Sequence, residues 1–269
     1  LHLSLRRQRQ MCIRDSTYAE LFESLGVGRF LIYESGPMVS FRVMDTQTKD
    51  YIESKWRDLI TAVREIYSGE IGLSDFLYMQ NTFSPIVNYN LLKDVDFLYI
   101  NAWPIYCSSV NCNVQEMQNT LENILWQIAR YKNYYPDIKI FVRLNAFSFT
   151  DAILGKNVPQ INPGMFDLNQ MDVNFQVQVR ILEGVLNAFA RCPKIDGLWI
   201  NREYWKLLDF EDFHPENWMD AQIILDGSLQ GKPGFEVFYL WNLMINHPEL
   251  IEHPTPSIEQ IEIPPKECP

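Results

Sequence analysis

The stretch "LYINAW", residues 98–103, has two echoes further along the chain, "VRLNAF" at 142–147 and "LWINRE" at 198–203. In each, a short apolar run of the kind that forms a strand ends on an asparagine: Asn101, Asn145 and Asn201, in register. Side chains alternate along a strand. The side that carries the Asn residues therefore also carries Trp103, Phe147 and Glu203, and deeper down Tyr99, Arg143 and Trp199. One Asn in such a place turns or caps the chain where strand gives way to loop. Three in register point instead to a shared rim of strand ends, where a site is built.

Working outward, strand and helix alternate about five times. "TYAELFESLGVG" reads as a helix closed by Gly26 or Gly28, followed by the strand "RFLIYES", residues 29–35, which ends on Glu34. "TKDYIESKWRDLITAVREIYSG" is an amphipathic helix with Ile52, Trp56, Leu59, Ile60, Val63 and Ile66 on one face and Gly69 at its close. "EIGLSDFLYM" is a second strand, and "LLKDVDFLYINAW" gives a short helix and a third. The helix "VQEMQNTLENILWQIARYKNYY" precedes the strand "IKIFVRLNAF", and the helix "NFQVQVRILEGVLNAFARC" precedes "IDGLWINREYW". "GKPGFEVFYLWNLMIN" is the last helix, and residues 247–269 form a Pro-rich tail. Trp56, Trp126 and Trp241 fall mid-helix and are expected in the core.

Strands that are apolar almost throughout imply burial on both faces, hence a parallel sheet covered by helices. An open doubly wound sheet and a (β/α)8 barrel both satisfy this. No Gly-rich loop follows any strand, and "GVGRF" precedes one, the wrong side for cradling phosphate. That weighs against a nucleotide-binding sheet and favours an α/β barrel, of which residues 17–246 supply about five βα units.

The bulk properties exclude several classes. The 269 residues are 47% hydrophobic and 21% charged, ordinary for a globular protein. A net charge of −11 makes nucleic acid and anionic membranes unsuitable partners, and no apolar run approaches the roughly 18 residues that span a bilayer. No Gly-x-Ser-x-Gly, His-Glu-x-x-His or paired Cys-x-x-Cys occurs, so neither acyl transfer nor a metal or other cofactor is expected. Residues 1–16, "LHLSLRRQRQMCIRDS", have no periodicity and read as a translated sequencing adapter, as in assembled environmental reads; a basic arm or transit peptide is the other reading. They carry four Arg and one Asp, a net of +3, so the remainder of the chain carries −14. Cys107 and Cys112 in "CSSVNC" form a small loop disulfide or stay as two thiols, depending on the compartment, while Cys192 and Cys268 have no evident partner. The compartment stays open, secretion included, although no Asn-x-Ser/Thr acceptor occurs.

These motifs, taken in order, resemble barrel glycoside hydrolases of the endo-mannanase and endo-galactanase type. "YAELFESLGVGRFLIYES" resembles the helix and fourth strand of that group, where the strand ends in the general acid/base Glu. "KWRDLITAVREIYSGEI" resembles the next helix and strand, with a recurring Trp, Arg and Tyr-x-Gly. "VDFLYINAWPIY" resembles the sixth strand, usually written with Asp where Asn101 stands, and "IDGLWINREYW" the eighth. "DGSLQGKPGFEVFYLW" resembles the closing segment, where Gly-Lys-Pro precedes the final helix. The resemblance covers residues 17 to about 246 and implies strands four to eight of the family barrel, the C-terminal portion of a longer protein. It also implies a poly- or oligosaccharide substrate and no cofactor. This chain departs from the group in lacking strands one to three and in its seventh strand: "IFVRLNAFSF" has no nucleophilic Glu, and the register puts Asn145, or else Leu144, in its place.

A retaining glycosidase needs two carboxyls about 5 Å apart, one protonated and one ionised. On this resemblance Glu34 is the candidate acid/base; otherwise it is a solvated strand-end charge or the partner of Arg143. An amide cannot attack an anomeric carbon, so Asn145 is expected to hydrogen-bond a sugar hydroxyl or orient a water. Glu203 is the substitute base or nucleophile, or equally the counter-charge of Arg143. Asp151 reads as a loop residue or cap. Trp103, Tyr106, Trp199, Tyr204 and Trp205 gather at the strand ends, and aromatic planes there suit the C–H faces of sugar rings; core packing is the other reading, above all for Trp199. The candidate site is thus Glu34 and Glu203 for catalysis, with Asn101, Trp103, Tyr106, Arg143, Asn145, Trp199, Asn201 and Trp205 for binding. A non-catalytic carbohydrate-binding relative is the alternative, and a mis-assembled reading frame a third.

Overall fold

A computed structural model describes residues 17–32, 45–77, 90–102, 104–155, 172–192, 194–200 and 232–246. Helix α1 (residues 17–24) is followed by β1 (Arg29–Leu31), α2 (Thr46–Arg64), β2 (Glu70–Leu77) and β3 (Phe97–Ala102). Then come α3 (Val114–Ala129), β4 (Lys139–Leu144), α4 (Phe175–Ala190), β5 (Gly197–Ile200) and α5 (Pro233–Asn246). The strand order in the sheet is β1-β2-β3-β4-β5. A doubly wound sheet reverses at a switch point, so some consecutive strands there are not neighbours. Here every strand neighbours the next in sequence, with the strands parallel, which is the winding of a (β/α) barrel. The fold is an incomplete (β/α) barrel of five strands.

The described residues divide into two compact units. The first holds α1 to β3, as far as Asn101, together with Ala129–Val142. Its α2 begins where the Asp45 carboxylate accepts from the Thr48 amide at 2.9 Å and the Thr48 hydroxyl at 2.6 Å, an N-cap worth about 1 kcal/mol. The helix buries Glu53, Trp56, Leu59, Ile60 and Val63, the apolar stripe expected from its periodicity with one carboxylate added. The chain then turns through Tyr67, which is fully buried and donates to the Val27 carbonyl at 2.6 Å. A Cβ at residue 69 would lie 2.4 Å from the Tyr67 hydroxyl and 2.9 Å from the Gly28 carbonyl, so the Tyr-x-Gly pattern is a packing requirement. β1 and β2 pair in parallel, Arg29 beside Glu70, Phe30 beside Ile71 and Leu31 beside Gly72. At their N-terminal ends the Glu70 carboxylate takes hydrogen bonds from Lys139 and from Arg29, whose guanidinium lies 4.6 Å from the Phe141 ring centre. Both donors hold the Glu70 carboxyl below its ordinary pKa.

The second unit holds the described residues from Ala102 to Ile128 and from Arg143 onward. Its α3 starts at Asn113, whose side chain accepts from the Glu116 amide at 2.8 Å. Met117, Leu121, Leu125 and Ile128 are buried along one face. Trp126, expected in the core, is instead 43% exposed: the 3.6-residue period of that buried row places position 126 on the outer face, and register overrides the size of the side chain. α4 starts at Asn174, which caps the Val177 amide, and buries Val177, Gln178, Ile181, Leu182 and Val185. Gly184 lets Met117 approach, since a Cβ there would stand 2.7 Å from its sulfur. α5 opens on Pro233, the position where a missing N–H costs a helix nothing, and packs on α4 through Gly234, next to Leu182 and Gln178. Trp56 and Trp241 are buried as expected.

Cys107 and Cys112 form a disulfide with Cα atoms 6.0 Å apart, which settles the two readings of that loop. Cys192 is disulfide-bonded as well, where the sequence offered no partner. Among the described residues no helix is long and apolar enough to cross a membrane.

Candidate functional site

Five of the ten candidate residues, Glu34, Trp103, Asn201, Glu203 and Trp205, lie outside the described residues. The other five can be placed. In the first unit Asn101 lies on β3, 3% exposed, between the buried Ile100 and Ala102. In the second unit Arg143 is half-buried on β4, and Asn145, one residue past the strand, is 5% exposed. Trp199 on β5 is 56% exposed, an indole accessible to a flat ligand. Tyr106 is 2% exposed. Its hydroxyl donates to the backbone carbonyl of Asn145. Burial pushes the Tyr106 phenol far above its ordinary pKa, and it stays a neutral donor.

The structure brings Tyr106 and Asn145 together and adds three partners that the sequence did not single out. Gln178, buried on α4, donates to the Ala146 carbonyl at 2.8 Å. The Asn174 amide donates to the Ser148 carbonyl at 2.7 Å. Lys232, just before α5 and 2% exposed, donates through Nζ to the Ser148 hydroxyl at 2.9 Å. Tyr106, α4 with its cap and Lys232 thus hold three of the four residues that follow β4, namely Asn145, Ala146 and Ser148. The side-chain nitrogen Nδ2 of Asn145 is itself buried, with no hydrogen-bond partner among the described residues. A buried donor left unmade costs about 1–3 kcal/mol, so such a group calls for an explanation.

The signals for these partners were weak. Gln178 occupies the apolar stripe of its helix, one turn before Leu182, a place where a polar residue is a query in itself. Lys232 stands in the Gly-Lys-Pro noted in the sequence, where a lysine before a helix reads as solvated. Asp151 lies in the first turn of a short helical segment, Thr150–Leu154, as a loop or cap reading allows. Phe147 stacks on Phe149 with ring centres 5.8 Å apart. Among the described residues no group of three His, Cys, Asp or Glu side chains could hold a metal ion.

No protein-family model matches the sequence, and no curated protein matches it. Solved structures do match. A GH113 beta-1,4-mannanase superposes with a TM-score of 0.54 at 19% identity, over 87% of this chain and 62% of that one. The GH113 beta-mannanase of Alicyclobacillus acidocaldarius, in complex with ManMIm, gives 0.56 at 16% identity, over 88% and 62%. A beta-glucuronidase of Faecalibacterium prausnitzii gives 0.52 at 10%, over 87% and 34%. The fold is that of these barrel glycoside hydrolases, and the chain spans about 62% of the length of the mannanases it matches.

Proposed function

We propose that this chain is the C-terminal portion of a barrel protein that binds a β-linked polysaccharide. In the whole barrel Glu34 is the general acid/base and Glu203 the base or nucleophile. The observation that carries the reading is the fold itself. A barrel wound strand by strand, similar to mannanases, sets its strand ends as a rim, and the sequence places Asn, Arg, Glu and Trp at those ends. The β4 burial pattern supports the view that more chain belongs to the barrel. Ile140, Val142 and Leu144 are buried, while Lys139, Phe141 and Arg143 on the opposite face are only half-covered. The exposed Trp199 suits stacking on a pyranose.

The test uses the full-length parent on mannan and galactan, read as reducing ends released. Glu34→Gln is expected to lower kcat at least ~100-fold with KM little changed, the size of a lost general acid. Unchanged hydrolysis in Glu34→Gln removes Glu34 from the mechanism. Asn145 favours a second reading, a non-catalytic binder, because an amide stands where the resemblance implies an attacking carboxylate. Oligosaccharide binding without hydrolysis by the wild type would select it.

A further inference from the structure

We propose that Lys232 and Gln178 are positioning residues. They hold the segment after β4 so that the Asn145 amide is kept as a dry, uncommitted donor for a hydroxyl oxygen of the carbohydrate. This rests on the function proposed above. Lysine is almost never buried to this degree without a task, yet Lys232 is 2% exposed with its Nζ 2.9 Å from the Ser148 hydroxyl. Gln178 is fully buried with its amide 2.8 Å from the Ala146 carbonyl. Together with the bonds from Tyr106 to Asn145 and from Asn174 to Ser148, they fix the backbone from the Asn145 carbonyl to Ser148, directly after the Asn145 side chain. None of these contacts uses that side chain, and its Nδ2 has no partner among the described residues. A donor held in a water-poor place forms a stronger hydrogen bond than one in solvent, provided that its direction is already set. Anchoring through the neighbouring backbone sets the direction and leaves the donor unspent.

Helix placement explains why these two residues serve. Gln178 is on α4, and Lys232 directly precedes α5, which packs on α4 where Gly234 meets Leu182 and Gln178. The anchors therefore come from a packed helix pair rather than from loops.

The experiment compares the wild type with Lys232→Met, which keeps the stem and loses the donor, and with Lys232→Arg, which keeps a donor. Gln178→Leu and Ser148→Ala accompany them. One readout is the side-chain amide resonance of Asn145 in a 15N-correlation spectrum, assigned by its loss in Asn145→Asp. A second is mannohexaose affinity, and a third is urea stability. The wild type is expected to give one sharp Asn145 amide pair. Lys232→Met and Ser148→Ala are expected to broaden or split it and to weaken mannohexaose about tenfold, the scale of one hydrogen bond. Lys232→Arg restores both to within about threefold. Loss of urea stability in Lys232→Met with the Asn145 resonance and the affinity unchanged overturns the proposal, since the lysine would then only support the fold. If Lys232→Met does not fold, Ser148→Ala removes the same bond from the other side and decides. A wild type that binds no mannohexaose refutes the carbohydrate reading, while the Asn145 resonance still decides whether Lys232 and Gln178 position it.

Discussion

Replacing Gly72 by alanine tests the register of the first unit's strands. Gly72 lies in β2 beside Leu31. A Cβ added there would stand 2.1 Å from Cε2 and 2.3 Å from Cζ of Phe97 on β3, far inside van der Waals contact. The phenyl ring cannot swing clear, because Phe97 is 4% exposed and meets Phe141 edge-on with ring centres 5.6 Å apart. Overpacking a core costs about 1–3 kcal/mol, and at this closeness the upper half of that range is expected. At roughly 2–4 °C per kcal/mol, a loss of about 2–3 kcal/mol lowers Tm by about 4–12 °C. Phe97→Leu alone costs about 1–2 kcal/mol for the lost ring. In the double variant the methyl group occupies the space that the ring vacates, so the two losses overlap by about 1–2 kcal/mol. Urea denaturation followed by circular dichroism, with thermal melts alongside, gives all four corners of the cycle. Additivity to within about 0.5 kcal/mol, or a neutral Gly72→Ala, would show that Gly72 does not face Phe97.

Three further perturbations act on charge and on a covalent link. Lys139 first and Arg29 second hold the Glu70 carboxyl below its ordinary pKa, so its contribution is present above about pH 4.5 and is lost as pH falls through the folded value. Glu53 is shifted the other way, chiefly by burial; folding therefore favours its protonated form, and its contribution fades as pH rises above about 4.5. At pH 7 Glu70→Gln should cost about 0.5–1 kcal/mol, discounted because Arg29 and Lys139 are partly solvated. Glu53→Gln should raise Tm by about 1–3 °C at pH 7, and both differences should shrink as the pH is lowered; like signs at pH 7 would refute the assignment. Opening the Cys107–Cys112 link by Cys112→Ser frees a loop with a sequence separation of 5, which corresponds to about 2 kcal/mol on the chain-entropy scale. The same melt with and without a reducing agent should reproduce that loss, and an unchanged Tm would show the link to be idle.

The order of elements was legible because period-2 and period-3.6 patterns change over cleanly along this chain, as the stripe Trp56, Leu59, Ile60, Val63 and its burial show. The choice of a barrel over an open sheet followed from a missing Gly-rich loop, and the sequential strand order agrees with it. Trp126 was misread because apolar size was allowed to outweigh helical phase. The disulfide could not be decided from spacing, since oxidation depends on surroundings as well as sequence. Lys232 and Gln178 were passed over for a related reason. Their partners are backbone carbonyls and a serine hydroxyl distant in the chain, and nothing in a local pattern reports such bonds.

Asn145 separates the demands of folding from those of function. The residues after β4 are anchored at the carbonyls of Asn145, Ala146 and Ser148 and at the Ser148 hydroxyl. The side chain at 145 contributes to none of these bonds, so the fold would stand with another residue of similar volume there. It nevertheless carries a buried donor without a partner among the described residues, a cost of about 1–3 kcal/mol that an apolar isostere would avoid. A carboxylate in the same place would cost more still unless a cation or several donors faced it, because a buried charge loses its hydration as well. An amide is therefore the cheaper of the two polar choices but dearer than leucine, and packing alone gives no reason to keep it. What would give a reason is an acceptor oxygen brought by something other than the chain itself, and a carbohydrate hydroxyl is such an acceptor.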